Sequence, residues 1–135
     1  MRVLFVVALS SVHLGCSNEL PSCVEAVRAD CAPLYAPTYD NVFERTLKPT
    51  CGQPGAACHA SEGAQADLVF ADKEATYATL LDAERGLIEA GNDQCSLLVV
   101  RIDAPEFEDV MPPGRQLLET ERCAIRRWIA EGATR

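Results

Sequence analysis

A chain of 135 residues holds one domain by default, and 48% hydrophobic with 24% charged residues is the composition of a folded, globular protein. A net charge of −8 and an isoelectric point near 4.7 exclude an electrostatic grip on nucleic acid, so no nucleic-acid partner is expected. Seven cysteines in so short a chain point to an oxidising compartment or to covalent cofactor chemistry.

The first fourteen residues, MRVLFVVALSSVHL, carry one positive charge and the apolar run Val3 to Leu9. That run is too short to span a bilayer and has the proportions of a signal-peptide core. Leu14-Gly15-Cys16-Ser17 follows and resembles a bacterial lipobox, with His13 where such boxes usually carry an aliphatic residue. The resemblance implies a signal peptide over residues 1–15 and a diacylglyceryl-bearing Cys16 as the mature N-terminus, which anchors the chain to a membrane. Plain secretion with cleavage nearby is the other reading. Cleavage before Cys16 removes Arg2, His13 and Met1, leaving His59 and Met111 as the single histidine and single methionine.

Residues 16–37 read as a short tether broken by Pro21, Pro33 and Pro37, followed by a domain over 38–135. The pattern predicts a first helix over Asp40–Leu47, capped by Asp40, with Val42, Phe43, Thr46 and Leu47 on one face and Pro49 as its stop. Cys51 to Gly63, rich in Gly and Ala, predicts an irregular loop. A second helix is predicted from Asp72 through Tyr77, Leu80 and Leu81 towards Arg85, ending by Gly86. Ser96 can cap a third over Leu97–Ile102, although the β-branched residues there also allow a strand. Pro105 and Pro112-Pro113 bracket an extended loop. The last helix, Glu119–Ala130, spaces Leu118, Ile125, Trp128 and Ile129 along one face and ends at Gly132. The fold class is all-α, several short helices joined by loops.

The chemistry sits in Cys51-Gly-Gln-Pro-Gly-Ala-Ala-Cys58-His59. A c-type haem needs two thiols that reach its vinyl groups and an imidazole that reaches the iron, minimally C-x-x-C-H. Six residues separate these cysteines instead of two, and the Cys58-His59 step is intact. Met111 in Val110-Met111-Pro112-Pro113 offers a soft thioether from a proline-stiffened loop, and His/Met ligation raises the reduction potential of haem iron. A methionine on a helix face would read as core filling; this one lies in a loop.

With these elements, Ser96-Leu97-Leu98 and the closing Trp128-Ile129-Ala130-Glu131-Gly132-Ala133, the chain resembles the small class I cytochrome c domains of bacterial exported lipoproteins, the planctomycete-type and myxobacterial cytochromes, over about residues 39–133. The resemblance implies a cytochrome c-like fold whose first and last helices cross beside one haem c. It implies thioethers at Cys51 and Cys58, proximal ligation by His59 and distal ligation by Met111. The function implied is single-electron transfer to a redox partner at the periplasmic side of the cell envelope, without a catalysed reaction of its own.

The competing reading of Cys51 and Cys58 is a disulfide closing a short loop. Cys23, Cys31, Cys95 and Cys123 allow three pairings; proximity favours Cys23–Cys31, leaving Cys95–Cys123 to staple the third segment to the last helix. On that reading the protein is a haem-free, three-disulfide envelope module for binding or structure. Structural zinc fits poorly with a single histidine, and His59 directly after Cys58 is badly placed as the base of a cysteine nucleophile. Glu106, Glu108 and Asp109 form an acidic run that reads as solvated surface, or as a contact for a basic partner. Trp128 is expected to anchor the core on the haem side of the last helix.

Overall fold

A computed structural model describes residues 20–54, 58–104 and 110–135. The leader, Cys16 and the acidic run Glu106, Glu108 and Asp109 lie outside the described residues. The described residues form four α-helices: α1 (Tyr39–Val42), α2 (Lys73–Leu80), α3 (Leu97–Asp103) and α4 (Glu119–Ala130). Their sole β-type pairing is an isolated bridge between Glu89 and Asn92, so the all-α class holds and the third segment is a helix.

The first helix departs from expectation at both ends. Thr38 caps it, its hydroxyl accepting from Asn41 N at 3.4 Å, while Asp40 lies in the first turn and pairs with Lys73 Nζ at 2.7 Å. Pro49 does not stop it. From Phe43 to Cys51 the chain continues in wide π-helical turns, and Gly52 N donates five residues back to Leu47 O at 3.0 Å. A proline in an α-helix lacks the N–H and collides with the carbonyl four residues back; a wider turn relieves that collision. Val42, Phe43, Thr46 and Leu47 are buried on one face, as their spacing requires.

Helix α2 is capped by Asp72, which accepts from Ala75 N at 2.8 Å, but it ends at Leu80, short of Gly86. Ser96 stands at the cap position of α3, yet its hydroxyl serves the preceding turn, accepting from Glu89 N at 2.9 Å and donating to Asn92 O at 2.7 Å. Helix α4 keeps the predicted bounds. Gly132 at φ +103° lets the chain fold back, so that Gly132 N donates to Ile129 O and Ala133 N to Trp128 O, both near 3.0 Å. These two bonds satisfy carbonyls the helix end would otherwise orphan. Leu118 is no part of the buried stripe: it precedes the helix and is 63% exposed.

An aromatic cluster ties α1, α2 and α4 together. Tyr39 meets Trp128 at 5.4 Å between ring centroids and Tyr77 at 4.7 Å. Its hydroxyl donates to Lys73 O at 2.5 Å, Tyr77 donates to Ala133 O, and Trp128 Nε1 donates to Thr134 O at 2.7 Å. Tyr39 and Trp128 hide their apolar bodies, on the order of 2–3 kcal/mol apiece, Tyr77 is half-buried, and all three polar tips stay bonded. Trp128, 1% exposed, anchors the core as expected; its ring meets Tyr39 and it is not among the residues lining the cavity described below.

Residues 20–37 are bound to the helical body, not a free tether. Cys23 is joined to Cys95 and Cys31 to Cys123, which overturns the pairing favoured by proximity. The strap crosses the loop before α3 and then α4, so each of its cysteines faces a different element, and closeness along the chain does not decide the pairing. Val24 N donates to Gln94 O at 2.9 Å, Val27 N to Asp93 Oδ2 at 3.1 Å, and Leu34 N to Thr120 O at 2.9 Å. Arg126 is the hub beneath: its guanidinium donates to Asp93 at 2.7 Å, to Asp103 and to the carbonyl of Glu25. Tyr35, still within the strap, is buried and shares a hydrogen bond with Thr46 at 2.5 Å, so the core begins before residue 38.

Candidate functional site

On another side of α4 lies a cavity of about 340 Å³, within the range of small-ligand sites. The π-helical turns bring Leu47, Thr50 and Cys51 to its wall; the following loop brings Cys58, His59, Leu68 and Phe70. Helix α3 supplies Leu97, Leu98, Arg101 and Ile102, and the segment from residue 110 supplies Met111, Pro112 and Pro113. All four residues singled out from the sequence, Cys51, Cys58, His59 and Met111, therefore line one cavity with largely apolar walls.

Short backbone links hold these donors. His59 N donates to Cys51 O at 3.1 Å and Phe70 N donates to His59 O at 2.8 Å, joining the two ends of the motif to each other and to Phe70. Gly52 packs so tightly that a Cβ there would stand 2.5 Å from Phe70 O, which only glycine avoids. The Phe70 ring then meets the imidazole at 5.0 Å. Also on the cavity wall, Met111 N donates to Arg101 O at 2.7 Å, fastening the methionine segment to the last turn of α3. The sulfur is thus presented by a loop whose backbone is tied to a helix end.

His59 is 8% exposed, and its Nδ1 is buried without a hydrogen-bond partner. A buried nitrogen without a partner costs about 1–3 kcal/mol, and Arg122 Nε on the strap side stands likewise. Cys51 and Cys58 are both free thiols, so the short disulfide loop is not formed. Burial, followed by the charges of Cys58 and Glu121, pushes the Cys51 thiol up to about 12. It therefore stays protonated at neutral pH. Two thiols, an imidazole and a thioether on apolar walls are a donor set that fits a c-type haem, whose ring brings its own four nitrogens to the metal. No group of three or more His, Cys, Asp or Glu side chains among the described residues could hold a bare ion.

A larger groove, about 700 Å³, opens beneath the strap and is lined by Arg122, Arg126, Asp103 and Glu119 among others. Two of its arginines are paired: Arg122 meets Asp103 at 2.9 Å, and Arg126 meets Asp103 and, at 2.7 Å, Asp93. That leaves a braced polar seam, whereas the smaller cavity gathers the soft donors. Sequence reasoning missed Phe70, Gly52 and Arg101 around the donors. The one available signal was Gly52 directly after a candidate thiol, a position where the backbone often approaches something closely.

The two disulfides are those of a protein that matures in an oxidising, extracytoplasmic compartment. No helix among the described residues is long and apolar enough to cross a membrane. The molecule is thus a helical, disulfide-braced domain with an apolar cavity that carries soft donors. No protein-family model matches the chain, and neither the curated proteins nor the solved structures yield a match.

Proposed function

We propose that the protein is a mono-haem c-type cytochrome that carries single electrons at the bacterial cell envelope, anchored through a lipid on Cys16. The observation that carries this reading is the convergence of Cys51, Cys58, His59 and Met111 on one cavity, although Met111 lies 52 residues beyond His59. In this reading Cys51 and Cys58 would bond the haem through thioethers, and His59 and Met111 would ligate its iron. The group supplies a one-electron iron couple once bound. Leu47, Leu68, Leu98 and Ile102 keep water from the site, and Phe70 fixes the plane of the imidazole. The net charge of −8 favours a redox partner with a basic docking face.

Expression in a periplasm with haem-maturation machinery tests this. The protein should be red, show a sharp α-band on reduction, and keep a haem stain through denaturing electrophoresis. Met111→Ala should retain the colour and lower the potential, because a thioether ligand raises it. Colourless protein would sink the proposal in favour of a haem-free, disulfide-stapled envelope module, one with two bridges where three were expected. Colour lost on denaturation would remove the thioethers and leave the axial ligands.

A further inference from the structure

The lining of the donor cavity is uneven in charge. The chain carries 20 acidic and 12 basic residues, yet no Asp, Glu or Lys stands among the described residues that line this cavity, and its sole arginine is Arg101. Apart from the donors, its other polar side chains, Thr50 and Gln65, are neutral. Leu47, Phe70, Leu80 and Ile125 on its wall are fully buried, whereas Arg101, in the last turn of α3, is half-buried. Asp103, the one carboxylate of α3, is turned to the strap side, where it pairs with Arg122 and Arg126. Arg101 also interacts with another group of the chain; its guanidinium carries five N–H donors in a planar fork, enough to serve that group and a carboxylate beside it.

An apolar cavity with a single cation on its wall selects a ligand by both parts. Apolar surface is held against the leucines, and an anionic end gains a charge-assisted bond only where it meets the guanidinium. A carboxylate matches that fork in shape as well as in sign. The backbone of the same residue holds the methionine segment, since Arg101 O accepts from Met111 N at 2.7 Å. One residue therefore couples the ligand's anionic end to the segment that carries the thioether.

We propose that Arg101 is the carboxylate anchor of this cavity, and that the ligand the cavity takes is an apolar body ending in a carboxylate. In naming that carboxylate as a haem propionate it rests on the electron-carrier reading; a long-chain fatty acid offers the same chemistry. The full chain in haem-free form is titrated with iron mesoporphyrin IX, which lacks the vinyl groups that form thioethers, and with its dimethyl ester, which lacks the charge. Wild-type protein should bind the acid about tenfold more tightly than the ester, or better, as one charge-assisted hydrogen bond provides. Arg101→Gln should bring the two affinities within about twofold of each other, and Arg101→Lys, which keeps the charge without the fork, should restore part of the preference. The ratio is taken within each protein, so a general loss of packing in a variant does not mimic the effect. Dansyl-undecanoic acid and its methyl ester repeat the comparison for a fatty acid. Equal binding of the two porphyrins by wild type, or a preference for the acid that survives Arg101→Gln, overturns the anchor and leaves the electron-carrier reading standing. If neither porphyrin binds but the dansyl acid beats its ester in an Arg101-dependent way, the anchor holds and the haem reading falls. If none of the four probes binds, both are overturned.

Discussion

The two sides of α4 solve opposite problems with the same residue types. Under the strap, four cysteines are spent as cross-links and a buried arginine gathers two carboxylates and a backbone carbonyl. Around the cavity, two cysteines stay reduced and the walls are apolar. A hollow forgoes packing contacts, so a small domain can keep one only if stability comes from elsewhere. Here the braced side supplies it, through two long-range bridges that tie residues 72 and 92 positions apart.

Breaking the braced side should have the largest effect. Replacing Cys31 and Cys123 together by serine reopens a loop of 92 positions and should cost about 3–5 kcal/mol, read as a shift in the urea midpoint. A loss under 1 kcal/mol would show that the strap contributes little. Arg126→Met comes next. Asp93 and Asp103 would be left with one less cation in a site where both guanidinium and Asp93 side chains are only 10% exposed, at a cost of about 3 kcal/mol. If Arg126→Met proves neutral, the hub is replaceable packing.

The cavity side should respond less in stability and more in chemistry. In haem-free protein, Cys51 should alkylate with iodoacetamide at pH 8 roughly 50- to 100-fold more slowly than glutathione, because its thiolate is scarce although intrinsically more nucleophilic. Peptide mass spectrometry over time reads this directly; alkylation at the glutathione rate would mean that the thiol is not held up. The sign of the linked stability follows from the same shift. The folded state holds the Cys51 proton more tightly than the unfolded chain, so this contribution is complete below about pH 9 and fades as the pH rises towards about 12. Cys51→Ala should flatten that alkaline loss.

Much of the local structure was legible because it depends on near neighbours. The bounds of α4, the buried face Val42-Phe43-Thr46-Leu47, the start of α2 beside Asp72 and the turn at Gly132 all follow from spacing and from local chemistry within a few residues. The first helix misled for a definable reason: Pro49 forbids an α-turn, and nothing in the local sequence announces that a wider turn will be used to carry Cys51 to a cavity wall. Ser96 misled similarly, since a hydroxyl at a cap position can serve either the helix after it or the turn before it.

The sequence by itself determined the all-α class, the oxidising chemistry of the cysteines and the list of soft donors, since each depends on residue identity and on periods of three to seven. Tertiary structure alone decided which cysteines pair, that the strap belongs to the body, that Trp128 turns to Tyr39, and that a methionine 52 positions from a histidine shares its cavity. These are long-range contacts. They are set by how helices pack and which faces they leave to one another, and no short window of sequence contains both partners.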